Sequence, residues 1–196
     1  MKHALTAVSL AVAVLSVAPV VGQATPDFTG TWTYDASRSS KTSVVYNLDG
    51  SSTGVEVPTP PPPVFGSEFT VTQDAHRLTL SLSLRQVTGV PAERAVDGWN
   101  FSGAAAGVVH YSLVYQLDGS ASRNENPSSV AGGPTTATTS TAMWKGDMLV
   151  VATRIGAAET PALTHSFRLD PDGRLIIDTS ISDAPPRHVT TVYVRK

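Results

Sequence analysis

The sequence predicts an all-β protein, an antiparallel up-and-down β-barrel of about 8–10 strands with long irregular loops. Three observations predict it. Segments of strand length alternate apolar and polar residues, and turn signals separate them. No apolar pattern of period 3.6 with helix caps follows residue 24. Good strands stand at both ends of the remaining chain, and pairing the first with the last removes two exposed sheet edges.

Residues 1–24 carry the features of a secretory signal peptide. Lys2 lies in a short positive region, residues 4–21 are mostly apolar, and small residues follow. We expect cleavage after Ala24, with cleavage after Gly22 as the alternative. The other interpretation is a retained membrane anchor, which the short length and the Ala and Ser content disfavour. The protein is therefore predicted to be periplasmic or extracellular, with no membrane span after cleavage.

The composition limits the partners and the chemistry of the remaining chain. Removal of the signal peptide leaves 172 residues, 25–196, enough for one barrel domain with a substantial core. The net charge is −2 for the full chain and −3 without Lys2, and Lys and Arg do not cluster, which argues against nucleic acid as the main partner. The sequence has no cysteine, which excludes disulfides, thiolate metal sites and a cysteine nucleophile.

Each predicted strand follows from its own alternation. In the first, Phe28, Gly30, Trp32 and Tyr34 share one face and threonines share the other. The clearest run is 78–84, where Leu alternates with Ser or Thr, as in an antiparallel sheet with one wet face. Further strands are predicted at 69–72, 109–117, 142–144, 148–155, 163–169, 175–181 and 189–195.

Turn signals join several of these strands directly. Gln73-Asp74-Ala75, Lys145-Gly146-Asp147 and Asp170-Pro171-Asp172-Gly173 supply the residues that tight reversals need. Three longer segments are predicted to be irregular, namely 35–64, 86–106 and 119–135, the last as a mobile loop. The first contains a proline run at 58–63, which we expect to be a polyproline II spacer, with docking of a partner as the alternative.

Short motifs at both ends resemble the calycin superfamily of lipocalins and fatty-acid-binding proteins. They are Phe28-x-Gly30-Thr31-Trp32 and Val192-Tyr193-Val194-Arg195. Phrases within 115–119, 144–150 and 172–175 are more similar to secreted bacterial lipocalin-like proteins of unknown function. The resemblance implies an up-and-down barrel with an internal apolar cavity. Thr191 stands where fatty-acid-binding proteins often carry an Arg before the Tyr, so a carboxylate clamp of that kind is not expected.

Two sets of residues are predicted to have roles in the barrel. The closure of the barrel is assigned to Gly30, Trp32 and Arg195, with Arg195 lying over the indole of Trp32. Inward aromatic side chains and one histidine are assigned to a pocket, with core packing as the alternative for each. These ligand-binding candidates are Tyr34, Phe69, Tyr111, Tyr115, His165, Phe167 and Tyr193.

No catalytic constellation, metal site or cofactor is predicted. His165 shares an apolar face, so it is either a ligand or haem contact or a hydrogen-bonded core histidine. Asp170 and Asp172 resemble part of a calcium loop, but a hairpin turn explains them more simply. Glu93 and Asp97 form a carboxylate pair in sequence only.

Three functions remain open at this point. The first is a secreted or periplasmic binding protein that holds a small apolar or amphipathic ligand in a barrel cavity. The second is a non-enzymatic structural or interaction module of the cell envelope with a filled core. The third is a haem-binding or enzymatic barrel that uses His165.

Overall fold

The described part of the chain is built from antiparallel β-strands. The computed structural model describes residues 25–40, 43–46, 52–57, 64–88, 105–182 and 187–196, and these residues contain no helix. The predicted signal peptide, the proline run and the Glu93–Asp97 pair lie outside them. The strands are β1 (Gly30–Tyr34), β2 (Ser43–Tyr46), β3 (Ser52–Val57), β4 (Glu68–Gln73), β5 (Arg77–Val87), β6 (Ala105–Gln116), β7 (Ala121–Asn126), β8 (Thr136–Lys145), β9 (Met148–Ile155), β10 (Leu163–Leu169), β11 (Leu175–Ile181) and β12 (Arg187–Arg195).

Ten of these strands form one sheet that curls into a nearly closed barrel. Their order is β6-β5-β4-β1-β12-β11-β10-β9-β8-β7, and every neighbouring pair is antiparallel. Strands β2 and β3 form a separate hairpin between β1 and β4 in the chain. The predicted all-β, up-and-down barrel is therefore confirmed, as is the pairing of the first strand with the last.

Strands β1 and β12 pair near one end of the barrel. The segment that precedes β1, which contains Phe28, covers this end. Trp32 is fully buried, and its Nε1 donates a hydrogen bond to the carbonyl of Phe28 at 2.8 Å. The guanidinium of Arg195 lies over the indole, 4.8 Å from its centre. Gly30 has a φ of +143°, a conformation that favours glycine. Phe28 stacks on Trp144 at 5.7 Å, so apolar rings fill this end.

All three segments predicted to be irregular are partly strand, the range 86–106 only at its two ends, where β5 ends and β6 begins. The range 35–64 contains β2 and β3, and the range 119–135, predicted to be a mobile loop, contains β7. The reason in β7 is that its inward side chains are Ser and Asn, so it has no apolar alternation to detect. Burial of Ser122 and Asn124 is made possible by hydrogen bonds to the neighbouring strand.

The barrel closes between β6 and β7 through side chains. Asn124 accepts a hydrogen bond from the Val114 amide at 2.8 Å and donates one to the Val114 carbonyl at 3.1 Å. Ser122 Oγ accepts from the Gln116 amide at 2.9 Å. The side-chain amide of Asn124 thus takes the place of a peptide group of a neighbouring strand. We call this contact the side-chain seam.

The hydrophobic core occupies the half of the barrel nearest Phe28 and Trp32. Leu78, Leu80, Leu149, Leu175 and Ile177 are fully buried there around the rings already described. Among the described residues, we find no helix of the length and hydrophobicity that a membrane crossing requires.

Candidate functional site

A partly open cleft of about 280 Å³ lies inside the barrel, near the strand ends opposite Phe28. Its polar lining comes from the inner faces of β7 to β10. These residues are Asn126, Thr136, Thr138, Ser140, Thr153 and His165. Its other wall is aromatic and aliphatic, from β6 and the segment before β4, with Phe65, Tyr111, Leu113 and Tyr115 as the main residues. We call this space the interior cleft.

The position of the polar lining follows from the strand pattern. On β8 and β9 the inward residues change along the strand from apolar to hydroxyl-bearing. Ala142 and Val151 are buried nearer the core, whereas Ser140 and Thr153 are buried one step further along. Their hydroxyl oxygens are 2.9 Å apart and hydrogen-bonded to each other. Each hydroxyl therefore provides a hydrogen-bond partner for the other in a place where water has limited access.

His165 is the titratable group at the centre of the polar lining. It is 5% exposed, and its Nδ1 lies 3.0 Å from Thr179 Oγ1 on β11. The ring of Phe65 lies 5.1 Å from the imidazole. Burial lowers the pKa of His165 from 6.5 to about 4, so the imidazole is neutral at neutral pH. With Nδ1 engaged by Thr179, Nε2 is the ring nitrogen left for a bound molecule.

Two tyrosines on β6 face the polar lining from the other wall. Tyr115 is buried and Tyr111 is half-buried. Burial raises the pKa of both hydroxyls. Both residues line the interior cleft. Both are uncharged donors at neutral pH, because their pKa values lie above the ordinary value of 10.0.

Phe65 forms the boundary between the cleft and the filled core. Its ring lies 5.8 Å from both Phe69 and Phe167, and its amide donates to the Tyr193 hydroxyl at 3.4 Å. Phe69 and Tyr193 make an edge-to-face contact at 4.8 Å. The segment before β4 thus enters the barrel and supplies a floor of stacked rings.

The seven ligand-binding candidates from the sequence separate into two groups. Tyr111, Tyr115 and His165 line the interior cleft. The other four are part of the aromatic core below its floor, where Tyr34 and Tyr193 lie 5.7 Å apart. The second group consists of Tyr34, Phe69, Phe167 and Tyr193. Their packing leaves them behind Phe65 and away from the cleft lining.

Sequence analysis missed Phe65 and the hydroxyl residues of the cleft. Phe65 follows a proline run, outside any alternating segment. Thr138, Ser140 and their outward neighbours form a run of Thr and Ser in which both faces are polar. A period-two pattern cannot show which face of such a run is inward. The one available signal was that this run continues directly into the amphipathic segment at Ala142.

Two further histidines, His110 and His188, lie on the outer surface. His110 and His188 are exposed, and each shares a hydrogen bond with a cross-strand serine, Ser83 at 2.9 Å and Ser180 at 3.1 Å. A groove of about 380 Å³ runs beside His110, lined mainly by small hydroxyl side chains. It offers little apolar surface to a ligand, so the interior cleft is the better candidate site.

The acidic turn between β10 and β11 and His76 have structural roles. Asp170 Oδ1 accepts hydrogen bonds from the amides of Asp172 and Arg174. These bonds are typical of a hairpin turn, which is how the sequence explained this motif. His76 lies in the exposed turn after β4. Among the described residues, no group of three or more His, Cys, Asp or Glu side chains is placed to hold a metal ion.

Comparison with known proteins leaves the function open. No protein-family model and no curated protein matches the chain. Among solved structures, the chain is similar to one described as "REP1-NXSQ fatty acid transporter", with 10% sequence identity and a TM-score of 0.42. The match covers 86% of this chain and 95% of that one. What this chain binds therefore has to be argued from its own side chains.

Proposed function

We propose that this protein is a lipocalin-like binding protein that holds a small apolar or amphipathic molecule in the interior cleft and performs no chemistry on it. The observation that carries the proposal is the composition of the cleft. Hydroxyl, amide and imidazole groups line one wall, and rings and aliphatic side chains line the other. Ligand sites typically combine a mainly apolar lining with a few polar groups that orient the ligand.

The barrel interior is divided into a filled core and a cleft, and this division supports a small ligand. Among the described residues, Trp32, Phe28 and the leucines around them fill the half of the barrel nearest the N-terminal segment, and the interior cleft lies beyond Phe65. A volume of about 280 Å³ is just below the usual range of ligand pockets, roughly 300–1,000 Å³. A molecule with up to three aromatic rings or a short alkyl chain fits this volume, whereas a long-chain lipid does not.

A fluorescent neutral probe tests the binding proposal. We expect N-phenyl-1-naphthylamine to bind saturably with a blue-shifted emission. Ser140→Phe should weaken its binding at least ~10-fold, because the new ring occupies the cleft, whereas Thr141→Phe adds the same ring to the outer face and should leave binding unchanged. Thermal unfolding of both variants checks that they fold. Absence of saturable binding in the wild-type protein, or equal losses in both variants, would contradict the proposal.

We further propose that the protein is exported to the periplasm or beyond. The support is the sequence of residues 1–24. When the full chain is expressed in a bacterial host with an export pathway, the processed protein should begin at Thr25. Leu15→Arg, which interrupts the apolar run, should leave the precursor unprocessed in the cytoplasm. N-terminal sequencing of fractionated cells gives the result, and an unprocessed wild-type chain would contradict it.

A further inference from the structure

The lining of the interior cleft carries no formal charge. None of the described residues that line it is Lys, Arg, Asp or Glu. Its one titratable group near neutral pH, His165, is held in the neutral form by burial. A ligand that enters this cleft therefore meets dipoles and rings, and no counter-charge from the described residues that line it.

The same environment penalises charge of either sign. Burial lowers the pKa of His165 to about 4, which disfavours a positive charge. Burial also raises the pKa of Tyr115, on the opposite wall of the cleft, which disfavours a negative charge. Two groups of opposite charge type thus shift in the directions that keep both neutral. A carboxylate or ammonium transferred from water into such a place loses hydration that no ion pair replaces.

The lining nevertheless keeps hydrogen-bonding capacity for a ligand. Ser140 and Thr153 carry two hydroxyl hydrogens, and their mutual hydrogen bond uses one of them. Tyr111 and Tyr115 line the opposite wall, and their raised pKa values keep both hydroxyls protonated at neutral pH. His165 presents Nε2 beyond its contact with Thr179. These groups offer both donors and acceptors, which suits a ligand with neutral polar groups of both kinds.

We propose that the ligand of the interior cleft is an uncharged molecule that presents an amide-, hydroxyl- or ketone-type edge to the Ser140–Thr153–His165 wall and an aromatic or aliphatic part to Phe65 and β6. This inference rests on the proposed binding function and narrows its ligand class. It separates this cleft from sites that hold fatty acids by pairing their carboxylate with a cation. The discrimination comes from the desolvation cost of the charge.

An isosteric pair of probes tests the ligand class. 4-Butylbenzamide and 4-butylbenzoate have nearly the same shape and differ in charge at neutral pH. We expect the amide to displace N-phenyl-1-naphthylamine from the full-length mature protein at a concentration at least ~10-fold lower than the benzoate does. Equal displacement by the two probes, or a preference for the benzoate, overturns the proposed ligand class and leaves the binding function standing. Failure of the reporter itself to bind overturns the binding function.

A variant with a cation at the cleft gives a second, independent readout. Asn126 lies at the end of β7 and is half-buried, so Asn126→Arg can keep its head group in the mouth of the cleft. We expect it to shift the ratio of the two affinities at least ~10-fold toward the benzoate. Ala121→Arg adds the same charge on the exposed outer face of that strand and should leave the ratio unchanged. An unchanged ratio in a folded Asn126→Arg protein, or equal shifts in both variants, overturns the inference.

Discussion

Acidification from pH 6.5 to pH 4 should remove about 3 kcal/mol from the free energy of unfolding through His165 alone. The pKa of this imidazole is about 4 in the folded protein and near 6.5 when it is exposed. Between these values the unfolded chain binds more protons than the folded one, so stability falls as the pH falls. The contribution is fully present above pH 6.5 and fully lost below pH 4.

Urea unfolding at closely spaced pH values measures this slope. His165→Gln keeps an amide that can hydrogen-bond Thr179 and cannot titrate, so its stability should be nearly flat across the window. His110→Gln, on the exposed outer face, is the matched control and should keep the slope of the wild-type protein. If the wild-type and His165→Gln proteins lose stability in parallel between pH 6.5 and 4, the imidazole is not buried in the neutral form.

Two described carboxyls with lowered pKa values act below this pH window. Hydrogen bonds from Thr29 hold the pKa of Asp27 below its usual value of 3.8. Hydrogen bonds from Ser37 do the same for Asp35. Both groups contribute stability that is lost only as the pH falls through their lowered folded pKa values, which lie below the range of His165. The free energy of unfolding should therefore fall first between pH 6.5 and 4, through His165, and again at lower pH, through these carboxyls.

The positions of the strands and their inward faces could be predicted where one face of a strand is apolar and the other is polar. Strand β5 alternates Leu with Ser or Thr, and the structure buries Leu78, Leu80 and Leu82. The pairing of β1 with β12 followed from the argument that both ends of the chain are good strands. These features depend on local alternation and on removing exposed edges, and a single sequence contains both signals.

The interior cleft was only partly predictable, because its polar residues do not alternate with apolar ones. Tyr111, Tyr115 and His165 belong to strands with an apolar inner face, so their direction could be inferred. Ser140 is inward because β8 is in register with β9, where Thr153 provides its hydrogen bond. That register is a property of the assembled sheet. Phe65 is likewise placed by the rings of other strands and not by its own neighbours.

The second large effect is expected at the side-chain seam. Asn124→Leu should reduce the free energy of unfolding by about 2–4 kcal/mol, because the amide and carbonyl of Val114 both lose their partner in a partly buried place. Arg123→Leu introduces the same side chain at the adjacent exposed position and should change stability by less than about 0.5 kcal/mol. Urea unfolding compares the two variants. Equal stabilities would mean that water replaces the amide of Asn124 at no cost.

Asn124→Asp distinguishes hydrogen bonding from packing at the same position. The aspartate retains an acceptor for the Val114 amide but has no donor for the Val114 carbonyl when it is ionised. Its destabilisation should therefore increase as the pH rises and the carboxyl loses its proton, whereas that of Asn124→Leu should not. Hydrogen exchange gives the local readout, because the Val114 amide should exchange faster in Asn124→Leu, whereas the Gln116 amide keeps its bond to Ser122. A seam held by packing alone would show the same exchange at Val114 in all three proteins.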